Sequence, residues 1–190
     1  RIKVNQAPKY ISIELLGASS NKLIKEVEVN NNQKHVRKTL TSISQNYGKT
    51  KFFKVIYPIV EEVYQSDKTN IAELSALSVT RIAEYLELNT EFCFSSELNF
   101  GHIETSRTER LIKLSKGFNA EIYINAIGGQ DLYSKEYFDE HGIKLLFLKS
   151  NMPEYNQGKG VFIPGLSIID ILMHNSKKEV IRMLDDYKLI

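Results

Sequence analysis

Hydrophobic and polar residues alternate in two short stretches near the start of the chain. Hydrophobic side chains stand at positions 11, 13 and 15 and again at positions 27 and 29, with polar residues between them, which is the period of a half-buried β-strand. Turn-forming residues at positions 17–21 lie between them. The pattern predicts an antiparallel pair of strands, or an edge element, at the start of the chain.

The second quarter of the chain changes to helical spacing. Three asparagines at 30–32 offer an N-cap for a first helix, which we expect from about Gln33 to Asn46, with Gly48 ending it. A second apolar stripe contains Pro58, and Asn70 caps a third segment that extends to about residue 88. These segments predict a helical layer.

Short apolar runs alternate with helices after residue 91. Runs at 92–94, 122–124 and 143–148 are typical of buried strands, and helices capped by Ser106 and Ser134 separate them. Two more helices are expected at 167–175 and 176–189. This order predicts an α/β fold in which a mainly parallel sheet is flanked by helices, as a single domain spanning residues 1–190.

Polar residues follow the first of these predicted strands. Ser95, Ser96, Glu97 and His102 come after residues 92–94. Ligands of parallel sheets bind beyond the carboxyl ends of the strands, so the hydroxyls are candidate ligand-binding groups and Glu97 and His102 candidate catalytic groups. The alternative is a loop with ordinary helix capping.

Two arginines stand near the start of the next predicted helix. If the ligand carries phosphates, Arg107 or Arg110 should bind them bidentately together with the helix N-terminus. The alternative is two solvated helix charges.

A pair of glycines follows the predicted strand at 122–124. Gly128 and Gly129 would let the backbone approach a ligand, and Asp131 is a candidate acid or base. We expect these residues and the loop at Ser96 and Glu97 to line one pocket at the same sheet edge. The alternative is a glycine turn before a helix.

Asp170 lies in an unusually apolar segment. It occupies the capping-box position after Ser167 but is surrounded by aliphatic residues, which predicts a buried carboxylate. Its expected partners are the Ser167 hydroxyl, helix N–H groups, or a basic residue from Arg107, Arg110 or residues 1–3. Asp170 is therefore a third candidate catalytic carboxylate, with simple capping as the alternative.

Charge and composition narrow the function classes. A net charge of +2 gives no reason to expect a nucleic-acid partner. The single cysteine, Cys93, is expected to be a buried thiol in a cytoplasmic protein without a membrane span. Neither a dinucleotide fingerprint nor a phosphate loop occurs, and the four histidines, His35, His102, His141 and His174, show no metal-ligand spacing. No motif identifies a cofactor.

Several segments together resemble the WbqC-like family, whose bacterial members occur in surface-polysaccharide, O-antigen-type gene clusters. The resemblance is carried by residues 95–98, 108–112, Gly128-Gly129, Tyr137-Phe138, Gly142-Ile143 and most specifically residues 164–170. Lys34-His35, Tyr47, Phe52 and Phe53 also fit. Family members usually begin with a Gln-Pro-x-Tyr-x-Pro-Trp segment, of which only the end corresponds to residues 1–3, so we expect an N-terminally incomplete domain.

The resemblance implies a role in making a modified sugar for a cell-surface glycan. Transfer of an acyl or aminoacyl group to a nucleotide-linked amino sugar is the preferred hypothesis, with that nucleotide sugar as small-molecule partner. The alternative is a non-catalytic protein that binds the sugar nucleotide or scaffolds the pathway. A binding module would tolerate loss of Glu97, Asp131 and Asp170 with weakened affinity only, whereas an enzyme would lose turnover first.

Overall fold

The computed structural model describes residues 1–98 and 106–190. The chain packs as two compact units. The first unit comprises Arg1–Thr90 and Met152–Met183, and the second comprises Glu91–Asn151 and Leu184–Ile190. The expectation of a single domain stays a prediction.

The first unit begins with two small antiparallel strand pairs. Strand β1 (Ile2–Val4) pairs with β2 (Ala7–Lys9), and β3 (Leu15–Leu16) pairs with β4 (Glu28–Val29). The second pair confirms the predicted antiparallel strands, although each strand is shorter than its alternating pattern. The β1–β2 hairpin was not predicted.

The described residues form seven α-helices. They are α1 (Gln33–Tyr47), α2 (Phe53–Gln65), α3 (Ile71–Leu86), α4 (Arg107–Gly117), α5 (Lys135–Glu140), α6 (Ile168–His174) and α7 (Lys177–Leu184). The Asn32 side chain caps α1 by accepting from the backbone of Lys34 and His35, and Asn70 caps α3. Pro58 lies inside α2. The predicted helical second quarter is therefore confirmed.

The core of the first unit joins its hairpin to its helices. Ile2 from β1, Ile43 from α1, Ile56 from α2, and Leu172 and Met173 from α6 are fully buried. Because β1 and α6 are far apart in sequence, their shared core fixes the start of the chain beside the start of α6. The Ser167 N–H donates to the Arg1 carbonyl at 2.7 Å, which fixes the same contact through the backbone.

The second unit contains a three-stranded sheet. Strand β6 (Lys144–Ser150) lies between β5 (Ile122–Ala126), with which it is parallel, and β7 (Tyr187–Leu189), with which it is antiparallel. The Ser106 and Glu109 capping box predicted for α4 is present, and the Ser134 cap of α5 is also confirmed.

Three predictions about the sheet are wrong. Residues 92–94 are irregular rather than a strand, so Cys93 is exposed instead of buried. Helix α7 ends at Leu184, and the last residues form β7 instead of continuing the helix. A mainly parallel sheet is not observed, since three of the four strand pairs among the described residues are antiparallel. The α/β class holds, with small mixed and antiparallel sheets.

Candidate functional site

Asp170 is completely buried in the first unit. It is the third residue of α6, whose start is capped by Ser167, and its side chain has no exposed surface. A carboxylate in such a place must be hydrogen-bonded or charge-paired. The sequence-based expectation of a buried, partnered Asp170 is therefore confirmed.

Two tyrosines satisfy both oxygens of this carboxylate. Tyr47, the last residue of α1, donates to Asp170 Oδ1 at 2.5 Å, and Tyr155 donates to Oδ2 at 2.7 Å. The Lys3 backbone N–H donates to the Tyr47 hydroxyl at 2.8 Å. Since an N–H group can only donate, the hydroxyl proton of Tyr47 must point to Asp170. None of the partners expected from the sequence contacts the carboxylate, although residues 1–3 reach it indirectly through Lys3.

Burial and hydrogen bonding keep both tyrosines protonated. Desolvation raises the pKa of Tyr47 and of Tyr155, and the hydrogen bond to Asp170 raises each further. Ionising either hydroxyl would place a second negative charge beside the carboxylate. The pair therefore acts as fixed donors at neutral pH.

His174 completes this group of side chains. It follows Asp170 by four residues on α6, so the two side chains share a helix face. Its ring meets the Tyr47 ring edge-on with centroids 6.0 Å apart, and no described residue forms a hydrogen bond with its ring nitrogens. Desolvation lowers the pKa of His174, and the Lys3 charge lowers it further, while Asp170 opposes the shift. A half-buried, neutral imidazole is therefore available at pH 7.

Lys3 fixes the loop that carries Tyr155. Its buried ammonium donates to three backbone carbonyls, those of Gln157 at 3.4 Å, Lys159 at 2.9 Å and Val161 at 3.4 Å. The Gln157 amide and the Ile163 backbone donate to each other at 2.8 Å and 2.9 Å. We call Asp170, Tyr47, Tyr155, His174 and Lys3 the Asp170 cluster.

The β1–β2 turn closes against the same loop. Gly160 has a φ of +91°, a backbone conformation that is strained for any residue with a Cβ, and the Gln6 side chain of the turn lies beside it. The turn and the loop therefore lie close together at a position that favours glycine.

The predicted residues near position 97 lie in the second unit and are solvent-exposed. Ser95, Ser96 and Glu97 follow the irregular segment, and Ser95 Oγ accepts a hydrogen bond from Arg110 at 3.1 Å. Arg107 is exposed at the start of α4. His102 lies outside the described residues. The structure thus brings Ser95 and Arg110 together.

The predicted glycine turn follows β5, as expected. Gly128 and Asp131 are exposed, whereas Gly129 is buried and packs against the Asn125 side chain. The hypothesis of one pocket at two parallel strand ends needed a strand at 92–94, and that premise is wrong. Asp170 belongs to the first unit, whereas the other candidates that the structure describes belong to the second.

The sequence patterns single out neither Tyr155 nor His174, and they include Lys3 only among the basic residues expected near Asp170. Tyr47 stands out only at the end of the first predicted helix and among the residues that resemble the WbqC-like family, and Tyr155 lies in a segment without a periodic pattern. His174 is one of four isolated histidines in the sequence. Its spacing of four residues from Asp170 within a predicted helix was the signal that could have identified it.

Replacing Lys3 by methionine is expected to destabilise the first unit by about 1.5–3 kcal/mol. Methionine keeps the apolar stem but removes the charged donor from three carbonyls. Urea unfolding measures the loss, and limited proteolysis should cut the loop at 157–161 faster. Lys159→Met, at an exposed position of the same loop, is the control and should change stability by less than about 0.5 kcal/mol. Equal behaviour of the two variants would contradict the role assigned to Lys3.

Neither a metal centre nor a membrane span is formed by the part of the chain that the structure describes. No three His, Cys, Asp or Glu side chains converge there as a metal ion requires. No helix within the same residues is long and apolar enough to cross a membrane.

Comparison with known proteins gives one match. The model of the WbqC-like protein family matches residues 1–182, which include the whole Asp170 cluster and all the residues singled out from the sequence. Neither a curated protein nor a solved structure matches the chain. The match covers nearly the entire sequence, and the chain belongs to the WbqC-like family.

Proposed function

We propose that this chain is an enzyme of bacterial surface-polysaccharide biosynthesis that transfers an acyl or aminoacyl group to a nucleotide-linked amino sugar. The observation that carries the proposal is the neutral His174 imidazole beside a buried carboxylate held by two tyrosines. The two tyrosines already satisfy the hydrogen-bonding capacity of Asp170, so the buried carboxylate does not require His174 as a partner. An imidazole with unoccupied ring nitrogens is a suitable general base.

The reaction needs one proton acceptor. The sugar amine attacks the carbonyl carbon of an acyl thioester, a C–N bond forms, and the C–S bond breaks. His174 accepts the proton that the nitrogen loses and returns it to the leaving thiolate, so the residue ends the cycle neutral. An aminoacyl donor would follow the same course with a different leaving group.

The members of the Asp170 cluster divide these roles. His174 is the catalytic residue of the proposal. Asp170 has no exposed surface and both its oxygens are occupied, so we assign the positioning role to Tyr47, whose ring packs edge-on against the imidazole and whose hydroxyl is held by Asp170. The negative charge of Asp170 would also stabilise the imidazolium formed during the reaction.

The exposed candidates of the second unit form a separate proposal. We infer that Arg107, Arg110 and the Ser95–Ser96 hydroxyls bind anionic or hydroxyl groups of a ligand, because α4 presents two guanidinium groups near its N-terminus. The proposal also includes two glycines that let the backbone approach the ligand, Gly128 and Gly129. It keeps three candidate acids or bases, Glu97, Asp131 and His102. Action on a nucleotide-linked sugar would place the protein in the cytoplasm.

The direct test is a transfer assay with the full chain. The protein is incubated with acetyl-coenzyme A and, in turn, nucleotide-linked sugars with and without a free amine, and products are measured by mass spectrometry. We expect a product heavier by one acyl group only with the amino sugar. A second series supplies an aminoacyl adenylate as the activated donor for aminoacyl transfer. Binding of the amino sugar without turnover in either series would favour the non-catalytic alternative.

A further inference from the structure

A positively charged groove runs along the exposed side of α1. It has a volume of about 550 Å³, the size of a small-molecule site. Its four charged lining residues are all cationic: Lys9 from β2, and Lys34, Arg37 and Lys38 from α1. None of the four forms an ion pair with a residue that the structure describes. The groove therefore presents uncompensated positive charge.

The position of these charges is unfavourable for the helix itself. Lys34 stands in the first turn of α1, where the helix dipole disfavours cations, and that turn contains no acidic residue. Lys34 also faces Arg37 and Lys38 at spacings of three and four residues, at which like charges repel. An anion bound in the groove would relieve both effects.

The remaining lining residues indicate which anion fits. They are uncharged and polar: Gln33, Thr41, Ser42 and Gln45. Among the residues that the structure describes, no aromatic side chain lines the groove for base stacking, and no apolar side chain lines it for insertion into a lipid bilayer. Cations beside hydroxyls and amides match phosphate oxygens next to sugar hydroxyls.

The helix N-terminus does not supply this site. The Asn32 side chain already accepts from the backbone N–H groups of Lys34 and His35, which removes two of the free donors. Binding in the groove therefore depends on side chains, and these can be exchanged without disturbing the cap.

We propose that the α1 groove binds the diphosphate and sugar hydroxyls of a phosphorylated saccharide. The proposal does not rest on the transfer reaction above, because the groove residues do not belong to the Asp170 cluster. Cationic side chains hold the phosphate oxygens, and the polar residues toward the end of α1 hold the hydroxyls. The site would give the protein a second means of recognising an activated sugar.

Charge reversal tests the groove. Binding of inorganic pyrophosphate, uridine diphosphate and uridine diphosphate N-acetylglucosamine is measured by calorimetry in the native chain and in Arg37→Glu/Lys38→Glu. We expect the dissociation constants of all three to rise at least tenfold in the variant, with the nucleotide sugar bound more tightly than pyrophosphate by the native chain. Glutamates in the first half of α1 suit the helix dipole, so the melting temperature should stay level or rise.

A matched control changes the same charge elsewhere in the first unit. Lys22→Glu/Lys25→Glu reverses two exposed lysines outside the groove and should leave all three affinities within twofold. Equal weakening in both double variants, or none in either, overturns the proposal. Binding of phosphatidylserine vesicles that depends on Arg37 and Lys38, without binding of the three small molecules, would also overturn it in favour of a membrane. An Arg107→Ala/Arg110→Ala chain that still binds all three separates the groove from the anion-binding site proposed for the second unit. A His174→Gln chain that still binds all three separates the groove from the proposed reaction.

Discussion

Asp170→Ala is expected to lower the free energy of unfolding by about 2–4 kcal/mol. The substitution leaves the buried Tyr47 hydroxyl and the half-buried Tyr155 hydroxyl without their acceptor and opens a small cavity at the start of α6. Asp170→Asn should cost about half as much, because the amide keeps the shape and its oxygen still accepts from one tyrosine. Urea unfolding measures the loss of stability in both variants.

The control for this pair is an aspartate without comparable contacts. Asp67 is exposed in the same unit, and Asp67→Ala should change stability by less than about 0.5 kcal/mol. If Asp170→Ala is equally mild, the carboxylate contributes no more than a surface residue and the cluster does not organise α6. A loss in Tyr47→Phe similar to that in Asp170→Ala, without addition in the double variant, would confirm that the two groups act as one unit.

The helices of this chain could be predicted because the residues that specify each helix lie within or next to that helix in the sequence. The first helix was expected from about Gln33 to Asn46 and is observed as Gln33–Tyr47, since a capping asparagine and a regular apolar stripe lie within the segment itself. Likewise the capping box of Ser106 and Glu109 specifies the start of α4. A periodic stripe longer than three turns leaves few alternatives.

The strands depended on partners that local patterns do not reveal. Three apolar residues at 92–94 are too few to specify a strand, and Phe92 is half exposed in an irregular segment. Conversely, residues 187–189 continue an apparently helical stretch but pair with β6, about forty residues earlier in the chain. Residues 187–189 form a strand because one edge of β6 is free to pair with them. The sequence of the last residues alone does not show that this edge is available.

The residues of the candidate site could also be predicted only where the information is local in sequence. Asp170 could be predicted as buried because its aliphatic neighbours are adjacent in sequence. Its hydroxyl partners could not, since Tyr47 and Tyr155 approach from α1 and from a loop without periodicity. Placing the pocket at a parallel sheet edge relied on a strand that does not form. The expected position of the pocket is wrong because the predicted sheet topology is wrong. The chemistry of the candidate residues does not reveal how the strands are arranged.

His174→Gln is expected to reduce the rate of acyl transfer by about 10²–10⁴-fold, the usual contribution of a general base. Glutamine has similar size and polarity but accepts no proton at neutral pH. Asp170 and the two tyrosines keep their hydrogen bonds in this variant, so the free energy of unfolding at pH 7 should change little. His141→Gln, in the second unit, is the control and should retain the native rate.

The pH dependence of the transfer rate distinguishes a catalytic His174 from a purely structural one. Because desolvation lowers the pKa of His174 below its ordinary 6.5, the native rate should rise with pH through a midpoint under 6.5 and level off by pH 7. The unfolded chain binds a proton at His174 more readily than the folded one, so stability from this residue is present above pH 6.5 and is lost on acidification. Added imidazole should restore part of the rate in His174→Gln at pH 7 if the residue transfers a proton. A variant that loses activity without rescue, and whose residual rate keeps the native pH midpoint, would show that the base lies elsewhere.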